Sequence, residues 1–398
     1  MYLITNGQII TEDALLKGYD LLIEGDIIAK IANNGEFKAD ASTQVIDAAG
    51  GYIAPGFIDI HSDYIEHMAA PRPTSLMDFN MSIREAEKEL ITHGITTMFH
   101  SLSLYKFTEF THNPIRNPEN VRRFIDLIAN ARTKGHRHLI RHRFHARFEI
   151  DNFDEVDNLK TFITEKKVHL VSFMDHTPGQ GQYSDLKIYR DIIKGYEHLD
   201  DEEIEEIVFR HQTKAKLTID AMKEIADLAR ENGIAIASHD DDSTERLELV
   251  GGLGATISEF PITLETAHKA KEKGMFTMAG APNILLGGSH SGNLSAAEAI
   301  HADCIDILCS DYYPPSLLHA VFKMHKFYEL DLVDIFRLVT INPAKAVKME
   351  HEIGSIKEGK KADLLVIEMM DSEFPVITSV IVDGKLAQQT NYIALTGK

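Results

Sequence analysis

The sequence contains few cysteines, which limits how the chain can be stabilised. Only two of its 398 residues are cysteine, Cys304 and Cys309. Their spacing matches neither a C-x-x-C motif nor a disulfide ladder. We therefore expect two reduced core thiols beside a strand, which is typical of proteins in a reducing compartment.

Long hydrophobic stretches are also lacking. No apolar run reaches the roughly 18 residues of a membrane-spanning helix. Residues 1–10 lack the basic start and the long apolar core of a signal peptide. The sequence therefore predicts a cytoplasmic protein with no membrane partner.

Positive charge is scarce relative to negative charge. Lysine and arginine total 41 against 61 acidic residues, so the formal net charge is -20. Such a surface repels nucleic acid and anionic membranes, and neither is expected as a partner. An anionic substrate would need a local basic pocket. The composition is compatible with a homo-oligomer.

The length of the chain suggests two structural units. A barrel of about 250 residues leaves room for a smaller module. Both ends have short apolar runs with turn signals: runs at 2–5, 8–10, 20–23 and 27–31 are separated by Asn-Gly and Gly-Asp, and strands at 363–367 and 376–382 precede Asp383-Gly384. We predict a small β-rich domain formed by residues 1–54 together with 355–398, and a barrel over residues 55–354.

The middle of the chain alternates strands with helical stretches, which indicates a parallel α/β architecture. Three stretches, at 82–94, 117–134 and 218–233, have the pattern of amphipathic helices. Residues 178–216, which include an acidic run, are expected to form a helical lid. Eight strands favour a (β/α)8 TIM-like barrel over an open sheet; they are predicted at 57–63, 96–102, 143–150, 169–175, 234–239, 255–260, 275–279 and 306–311.

The segment 53–67 shows how the chemistry is arranged. Its sequence is I-A-P-G-F-I-D-I-H-S-D-Y-I-E-H. Side chains alternate along a strand, so His61 and Asp63 share one face at its C-terminal end. That pair can bind a divalent metal, although a polar strand end that only forms hydrogen bonds would look the same.

The other strands resolve this ambiguity in favour of a metal. Barrel active sites form at the C-terminal ends of the strands. Six metal-ligating side chains occur at such ends, on five strands: His61, Asp63, Glu149, His176, His239 and Asp311. Together they predict a metal centre.

The third strand gives a second indication. Its apolar residues alternate with a polar set that includes Arg147 and Glu149. Inward-facing charges are costly unless they are paired or used. Arg147 and Glu149 can form an internal pair, or Glu149 can bridge metals while Arg147 contacts an anion, and both can hold together.

Two loops are candidates for binding phosphate. After the seventh strand comes A-G-A-P-N-I-L-L-G-G-S-H-S-G-N, in which Gly287, Gly288, Ser289 and His290 could form a phosphate cradle. A tight turn would also need these glycines. The second candidate is G-Q-G-Q-Y at 179–183, followed by Lys187 and Arg190; a flexible loop into the lid explains it almost equally well.

These residues resemble the amidohydrolase superfamily. The likeness rests on P-G-F-I-D-I-H-S-D, on His176, His239 and Asp311, and on K-K-A-D-L-L-V-I at 360–367. A closer resemblance, over nearly the whole chain, is to the diphosphatase family of the carbon–phosphorus lyase pathway. It rests on H-M-A-A-P-R-P, F-M-D-H-T-P-G-Q-G-Q-Y, S-H-D-D-D-S and I-L-C-S-D-Y-Y-P-P-S-L-L-H.

The resemblance implies a fold, a cofactor and a reaction. It implies two divalent ions, zinc or manganese, bound by the six residues above, with Asp311 also acting as general base. The expected substrate is a small phosphorylated sugar, α-D-ribose 1-methylphosphonate 5-triphosphate, hydrolysed to the 5-phosphate and pyrophosphate. Arg72, Arg147, His290 and the glycine loop would offset its charge.

One departure from the superfamily supports the narrower family. Most members have H-x-H on the first strand, whereas this chain has His61-Ser62-Asp63. The narrower family shares the H-x-D form. No lysine stands where a carboxylated bridging lysine would be expected, and Glu149 suits that role better.

Two other functions remain open at this stage. The same metals and Asp311 could hydrolyse a C–N bond, as in a deaminase, a hydantoinase or a sugar-phosphate deacetylase. Alternatively, the barrel could be a non-catalytic scaffold, but that would predict missing ligands, and all six are present.

Overall fold

The computed structural model describes residues 1–72, 74–104, 114–131, 137–179, 181, 186, 187, 190, 201–288 and 293–392. Its strands form two sheets of eight strands each. In chain order the strands are β1 (Tyr2–Ile10), β2 (Leu15–Glu24), β3 (Ile27–Asn33), β4 (Gln44–Asp47), β5 (Tyr52–Pro55), β6 (Phe57–Ser62), β7 (Ile95–Leu104), β8 (Arg141–Glu149), β9 (Leu170–Met174), β10 (Ala235–His239), β11 (Ile257–Glu259), β12 (Phe276–Gly280), β13 (Ile307–Cys309), β14 (Leu364–Met370), β15 (Phe374–Val382) and β16 (Lys385–Gln389).

Helices connect most of the central strands. They are α1 (Tyr64–Ala69), α2 (Phe79–Thr92), α3 (Pro118–Asn130), α4 (Val156–Thr164), α5 (Asp201–Gln212), α6 (Ile219–Glu231), α7 (Thr244–Gly252), α8 (Leu264–Glu272), α9 (Ala281–Leu286), α10 (Ala296–His301), α11 (Ser316–Tyr328), α12 (Leu332–Arg337) and α13 (Ile341–Ala346). Short 3-10 helices at Pro114–Arg116 and Phe153–Glu155 precede α3 and α4.

The central sheet is a nearly closed parallel barrel. Its strands follow in sequence order from β6 to β13. A parallel bridge between Ser62 and Asp311 joins the first strand to the segment after the last. The predicted (β/α)8 barrel is therefore confirmed, and each of its eight strands overlaps the predicted range.

Side-chain alternation separates two hydrophobic cores. Ile58, Ile60 and Phe99 belong to the core inside the barrel. Phe57, Met98 and their neighbours point the other way, into the larger core beneath the helices. The third strand behaves as predicted, because Phe144 and Phe148 join the outer core while Arg147 lines a cavity within the barrel.

The second sheet is built from both ends of the chain, as predicted. Its strand order is β16-β15-β14-β5-β1-β2-β3, with β4 paired to β1. The C-terminal part joins the N-terminal part where β14 runs antiparallel to β5. Gly25-Asp26 and Asp383-Gly384 each connect antiparallel strands, as expected. The boundaries of the two domains stay a prediction.

One turn prediction in this sheet was wrong. Asn6-Gly7 does not separate two strands but lies within the continuous strand β1. The pairing of β1 with β2 shifts register on both sides of Gly7, and Asn6 has a φ of 55°. An Asn-Gly pair can therefore form a β-bulge instead of a turn, because some types of both structures use positive φ.

A largely buried arginine ties the terminal sheet to the barrel. Arg141, the first residue of β8, forms ion pairs with Asp363 and Asp383. Its side chain is 12% exposed and that of Asp363 is 3% exposed. Water screens such a pair little, so the contact holds the two sheets together.

The three predicted helices correspond to α2, α3 and α6. Each begins with a side-chain cap, from Asp78, Asn117 and Thr218 respectively. Of the predicted lid, the structure describes α5, and most of residues 180–200 lie outside the described residues. No helix within the described parts of the chain is long and apolar enough to cross a membrane.

Candidate metal centre

The six predicted ligands lie at the C-terminal end of the barrel. His61, Glu149 and His239 are within or at the ends of their strands, whereas Asp63, His176 and Asp311 follow theirs by one or two residues. Parallel strands place all of these positions on the same rim. The prediction that they gather in one region is consistent with this placement, and their metal-binding roles stay a prediction.

Four of the six face a common cavity of about 240 Å³; these are His61, Asp63, His239 and Asp311. Glu149 and His176 form a short hydrogen bond with each other. His176 is linked to the cavity-lining residues through Asp240. The Nε2 atom of His176 lies 4.0 Å from Asp240 Oδ2. Asp240 Oδ2 lies 2.9 Å from Nδ1 of His239.

Two overlapping groups of side chains can each hold a metal ion. The first consists of His61, His239 and Glu259, and the second of His176, His239 and Asp240. Within each group the ligand atoms lie within 4.8 Å of one another. His239 belongs to both groups, so the two candidate positions adjoin, and the single lone pair of its neutral imidazole can serve one ion at a time.

Unsatisfied polar atoms show that this donor set fits a cation. His61 Nδ1, His239 Nε2 and both carboxylate oxygens of Glu259 are buried without a hydrogen-bond partner among the described residues. Buried polar atoms normally have partners. Imidazole nitrogens and carboxylate oxygens that converge in this way suit a divalent metal such as zinc or manganese.

The sequence reasoning did not identify Glu259. It is the last residue of β11 and is fully buried. Its Oε1 lies 3.2 Å from His61 Nδ1 and 3.6 Å from His145 Nε2. The sixth strand was predicted to end at Phe260, which placed an apolar residue at the strand end. The sequence feature that could have identified Glu259 is the alternation in I-S-E, which puts Glu259 on the inward face of the strand with Ile257.

Burial lowers the pKa of two histidines at this site. It lowers the pKa of His61 well below its usual value, with the charge of Arg147 acting in the same direction. Burial also lowers the pKa of His145 to about 3, although Glu259 opposes this. Neutral imidazoles have a free lone pair, which is the form that binds metals.

Asp311 has an unusual electrostatic environment and backbone. Burial first, and then the nearby Asp63 carboxylate, raise the pKa of Asp311 to about 7. Its φ is 56°, in the left-handed region. Its N–H donates to the His61 carbonyl at 3.1 Å, and its own carbonyl accepts from Asp63 N at 3.1 Å and from Ser62 Oγ at 2.5 Å. These bonds fix the residue at the seam that closes the barrel.

Comparison with known proteins identifies the family. The sequence profile of the amidohydrolase family matches residues 52–387. The chain belongs to the amidohydrolase family. The superfamily resemblance read from the sequence is therefore confirmed, and the family explains why polar side chains collect at one end of the barrel.

Individual relatives support the same assignment. The chain is 32% identical, over 91% of its length and 97% of the relative's, to the alpha-D-ribose 1-methylphosphonate 5-triphosphate diphosphatase of Escherichia coli (strain K12). It is 27% identical to a 5-methylthioadenosine/S-adenosylhomocysteine deaminase of Pyrococcus horikoshii, over 89% of this chain and 82% of the other. The fold is similar to that of N-acetylglucosamine-6-phosphate deacetylase from Pasteurella multocida, with a TM-score of 0.63, 12% identity and coverage of 98% and 100%.

Within this amidohydrolase site, Arg147 is the predicted substrate contact that faces the metal-binding residues. It lines the same cavity as His61 and Asp311, and among the described lining residues it alone is an arginine or lysine. Its Nε also contacts the sulfur of Met174 at 3.2 Å. An anion bound in this cavity would contact the Arg147 guanidinium.

The other predicted basic contacts lie elsewhere. Arg72 and Lys187 are exposed. Arg190 forms an ion pair with Glu205 of α5. None of the three is among the described residues that line the 240 Å³ cavity. Their roles in substrate binding stay a prediction.

The glycine loop differs from the predicted cradle where it is described. Gly287 ends α9 with a φ of 82°. The N–H groups of Gly287 and Gly288 both donate to the Asn283 carbonyl, at 3.1 and 3.0 Å. Neither N–H is therefore available to a phosphate, because the helix end uses both. Ser289 and His290 lie outside the described residues, so a cradle would depend on residues 289–292.

Proposed function

We propose that this chain is a metal-dependent diphosphatase of phosphonate catabolism. It would hydrolyse α-D-ribose 1-methylphosphonate 5-triphosphate to the 5-phosphate and pyrophosphate. The observation that carries the proposal is the 32% identity to the Escherichia coli enzyme of that name over 97% of its length. A cytoplasmic location remains part of the proposal.

Divalent ions would bind among the histidines and carboxylates at the C-terminal rim of the barrel. We assign them to His61, His176 and His239 with the carboxylates Asp63, Glu149 and Asp311, and we add Glu259 and Asp240 to this set. Two ions bound there would supply Lewis acidity, acidify a water and neutralise phosphate charge. Zinc and manganese both suit this mixture of nitrogen and oxygen donors.

The residues of the chain itself would position and deprotonate the attacking water. Asp311 is the proposed general base, because its carboxylate lines the cavity while its backbone is held to β6. The water oxygen would bond to the phosphorus nearest the ribose, and its proton would pass to Asp311. The bond from this phosphorus to the bridging oxygen would break, and pyrophosphate would leave with that oxygen.

Arg147 would bind and orient the triphosphate. Its guanidinium can offset charge that develops on the phosphoryl oxygens. A neutral amide substrate would not require an arginine on an inward-facing strand position, so Arg147 supports phosphate chemistry over C–N hydrolysis.

Hydrolysis of a C–N bond is the second candidate, and specific observations favour it. The Pyrococcus horikoshii relative is named a deaminase, and the Pasteurella multocida protein of similar fold is named a deacetylase. The same metal donors and Asp311 could perform either reaction.

One experiment separates the two candidates. The purified protein, loaded with zinc or manganese, is incubated with the ribose triphosphate, with a nucleoside triphosphate, and with a deaminase and a deacetylase substrate. Pyrophosphate from the triphosphates supports the diphosphatase. Ammonia or acetate without pyrophosphate supports the alternative.

A further inference from the structure

A second cavity lies at the opposite end of the barrel from the metal centre. Its volume is about 330 Å³. Its lining includes His169, which immediately precedes β9, and Ile234, which immediately precedes β10. These positions define the N-terminal end of the strands. The segment after α13 also lines the cavity, with Val347 and Met349 packed against the inner core.

The lining of this cavity is positively charged, in contrast to the protein as a whole. Three cations line it, Arg143, Lys166 and Lys348. Glu352 is the one acidic side chain among the described lining residues. The complete chain has a net charge of -20. A local excess of cations on so acidic a protein attracts anions to this position.

Both lysines lack an ion-pair partner among the described residues, and both have an unusual backbone. Lys166 has a φ of 58° and Lys348 a φ of 60°. Each follows a helix end, where its N–H donates back to a helical carbonyl, of Ile163 for Lys166 and of Lys345 for Lys348. Glycine or asparagine is usual at left-handed positions of this kind. The helix ends thus fix the backbone of both lysines, and both residues line the same cavity.

The floor of the cavity is apolar. It includes Phe99, Val168 and Ile234. Cations at the rim suit a phosphate group. The C–H face of a sugar ring can pack on the apolar residues, and the lining also offers the polar side chains of His169 and Asn232 for its hydroxyl groups. A volume of about 330 Å³ lies within the range of small-molecule sites, roughly 300–1,000 Å³.

We infer that this cavity binds a small phosphorylated sugar, with the phosphate held by Arg143, Lys166 and Lys348. The site is distinct from the metal centre, and the inference does not depend on the proposed function. The lysines contribute exposed, unpaired charges, and Arg143 contributes a half-buried guanidinium from β8.

Lysine footprinting tests the site directly. The full-length, metal-loaded protein is acylated briefly with and without ribose 5-phosphate, and modification of each lysine is measured by mass spectrometry. We expect Lys166 and Lys348 to react several-fold more slowly with the ligand present. Lys17 and Lys30, which are exposed and have no ion pair among the described residues, should be unaffected. Equal reactivity of Lys166 and Lys348 with and without ribose 5-phosphate would overturn the inference.

A double variant provides the second test. Lys166→Asn with Lys348→Asn removes both charges while keeping a residue that accepts positive φ. We expect its affinity for ribose 5-phosphate at this site to fall about tenfold or more, as for the loss of charge-assisted hydrogen bonds. Lys17→Asn with Lys30→Asn changes the net charge equally and should bind as the wild type does.

A structural role for the lysines predicts a different result. Lysines near helix C-termini can stabilise the helices through the dipole alone. A lower melting temperature with unchanged ribose 5-phosphate binding in the Lys166→Asn/Lys348→Asn variant would refute the ligand site.

Discussion

The carboxylate of Glu259 lies 3.2 Å from Nδ1 of His61, and neither group has a hydrogen-bond partner among the described residues. Burial raises the pKa of Glu259 and lowers that of His61, so each group is held near its neutral form without a cation. A metal ion would satisfy both atoms and stabilise the charged carboxylate. We regard this pair as the core of the candidate metal centre.

Replacing Glu259 with Gln should reduce metal content. The amide keeps the shape but binds a divalent ion far less well than a carboxylate does. We expect the purified Glu259→Gln variant to retain clearly less metal than the wild type when measured by elemental analysis. Glu265→Gln, at an exposed position of helix α8, is the matched control and should keep the full content. Unchanged stoichiometry in Glu259→Gln would exclude Glu259 as a ligand.

Asp311→Asn should affect the rate more than metal content. The variant keeps the backbone bonds to β6 but cannot accept a proton. We expect activity to fall at least about a hundredfold, the lower end for a positioned acid–base group. Asp13→Asn, at a position that is 90% exposed, should leave turnover unchanged. If Asp311→Asn turns over at nearly the normal rate, the base is another group.

A buried network beneath α2 should make stability depend on pH. Glu87 accepts hydrogen bonds from His138 and His142, and His142 contacts His100 at 2.8 Å. Burial raises the pKa of Glu87, but its hydrogen bonds outweigh this and the net shift is downward. Burial also lowers the pKa of His142 and His100. Arg84 adds a further cation beside Glu87.

All of these shifts predict loss of stability in acid. Histidines that are neutral when folded lose their contribution as the pH falls below their unfolded pKa of about 6.5, and ionised Glu87 loses its own below about 4.5. Glu87→Gln should cost about 1–3 kcal/mol at pH 7, because buried donors lose a charged partner. Chemical unfolding from pH 5 to 3, where the Glu87 carboxylate begins to take up a proton in the unfolded chain, should show a shallower acid slope for Glu87→Gln than for the wild type. Parallel slopes would rule out a role for Glu87 in this dependence.

Arg141 should be important for the stability of the chain. Removing one partner of a buried ion pair leaves the other charge unpaired, at a cost of about 3–5 kcal/mol. Arg141→Ala would expose this cost, because Asp363 is almost fully buried. Arg230→Ala removes a surface pair with Asp227, whose members are 52% and 42% exposed, and should cost under about 1 kcal/mol. Similar unfolding free energies for the two variants would contradict the proposed tie between the sheets.

Much of the fold could be predicted because the periodic spacing of apolar residues along the sequence indicates the strands and helices. Strands such as β6 and β8 alternate between the two cores, and their C-terminal ends share one rim. The same rule missed Glu259, because a strand end misplaced by one residue put Phe260 at the rim. The turn predicted at Asn6-Gly7 was wrong because positive φ occurs in β-bulges as well as in turns.

The partners of individual donor groups are what the sequence could not supply. Arg190 pairs with Glu205, and the N–H groups of Gly287 and Gly288 bind the Asn283 carbonyl. No local pattern reveals that a donor is already used within the fold. The left-handed lysines at 166 and 348 are equally invisible, because they depend on where two separate helices end.

The most direct test of the account is the product formed from the ribose triphosphate. The metal-loaded protein is incubated with α-D-ribose 1-methylphosphonate 5-triphosphate, and pyrophosphate and orthophosphate are quantified separately. We predict one pyrophosphate per substrate consumed, abolished by removing the metal and strongly reduced in Asp311→Asn. Intact triphosphate after incubation, or orthophosphate released without pyrophosphate, would contradict the proposal.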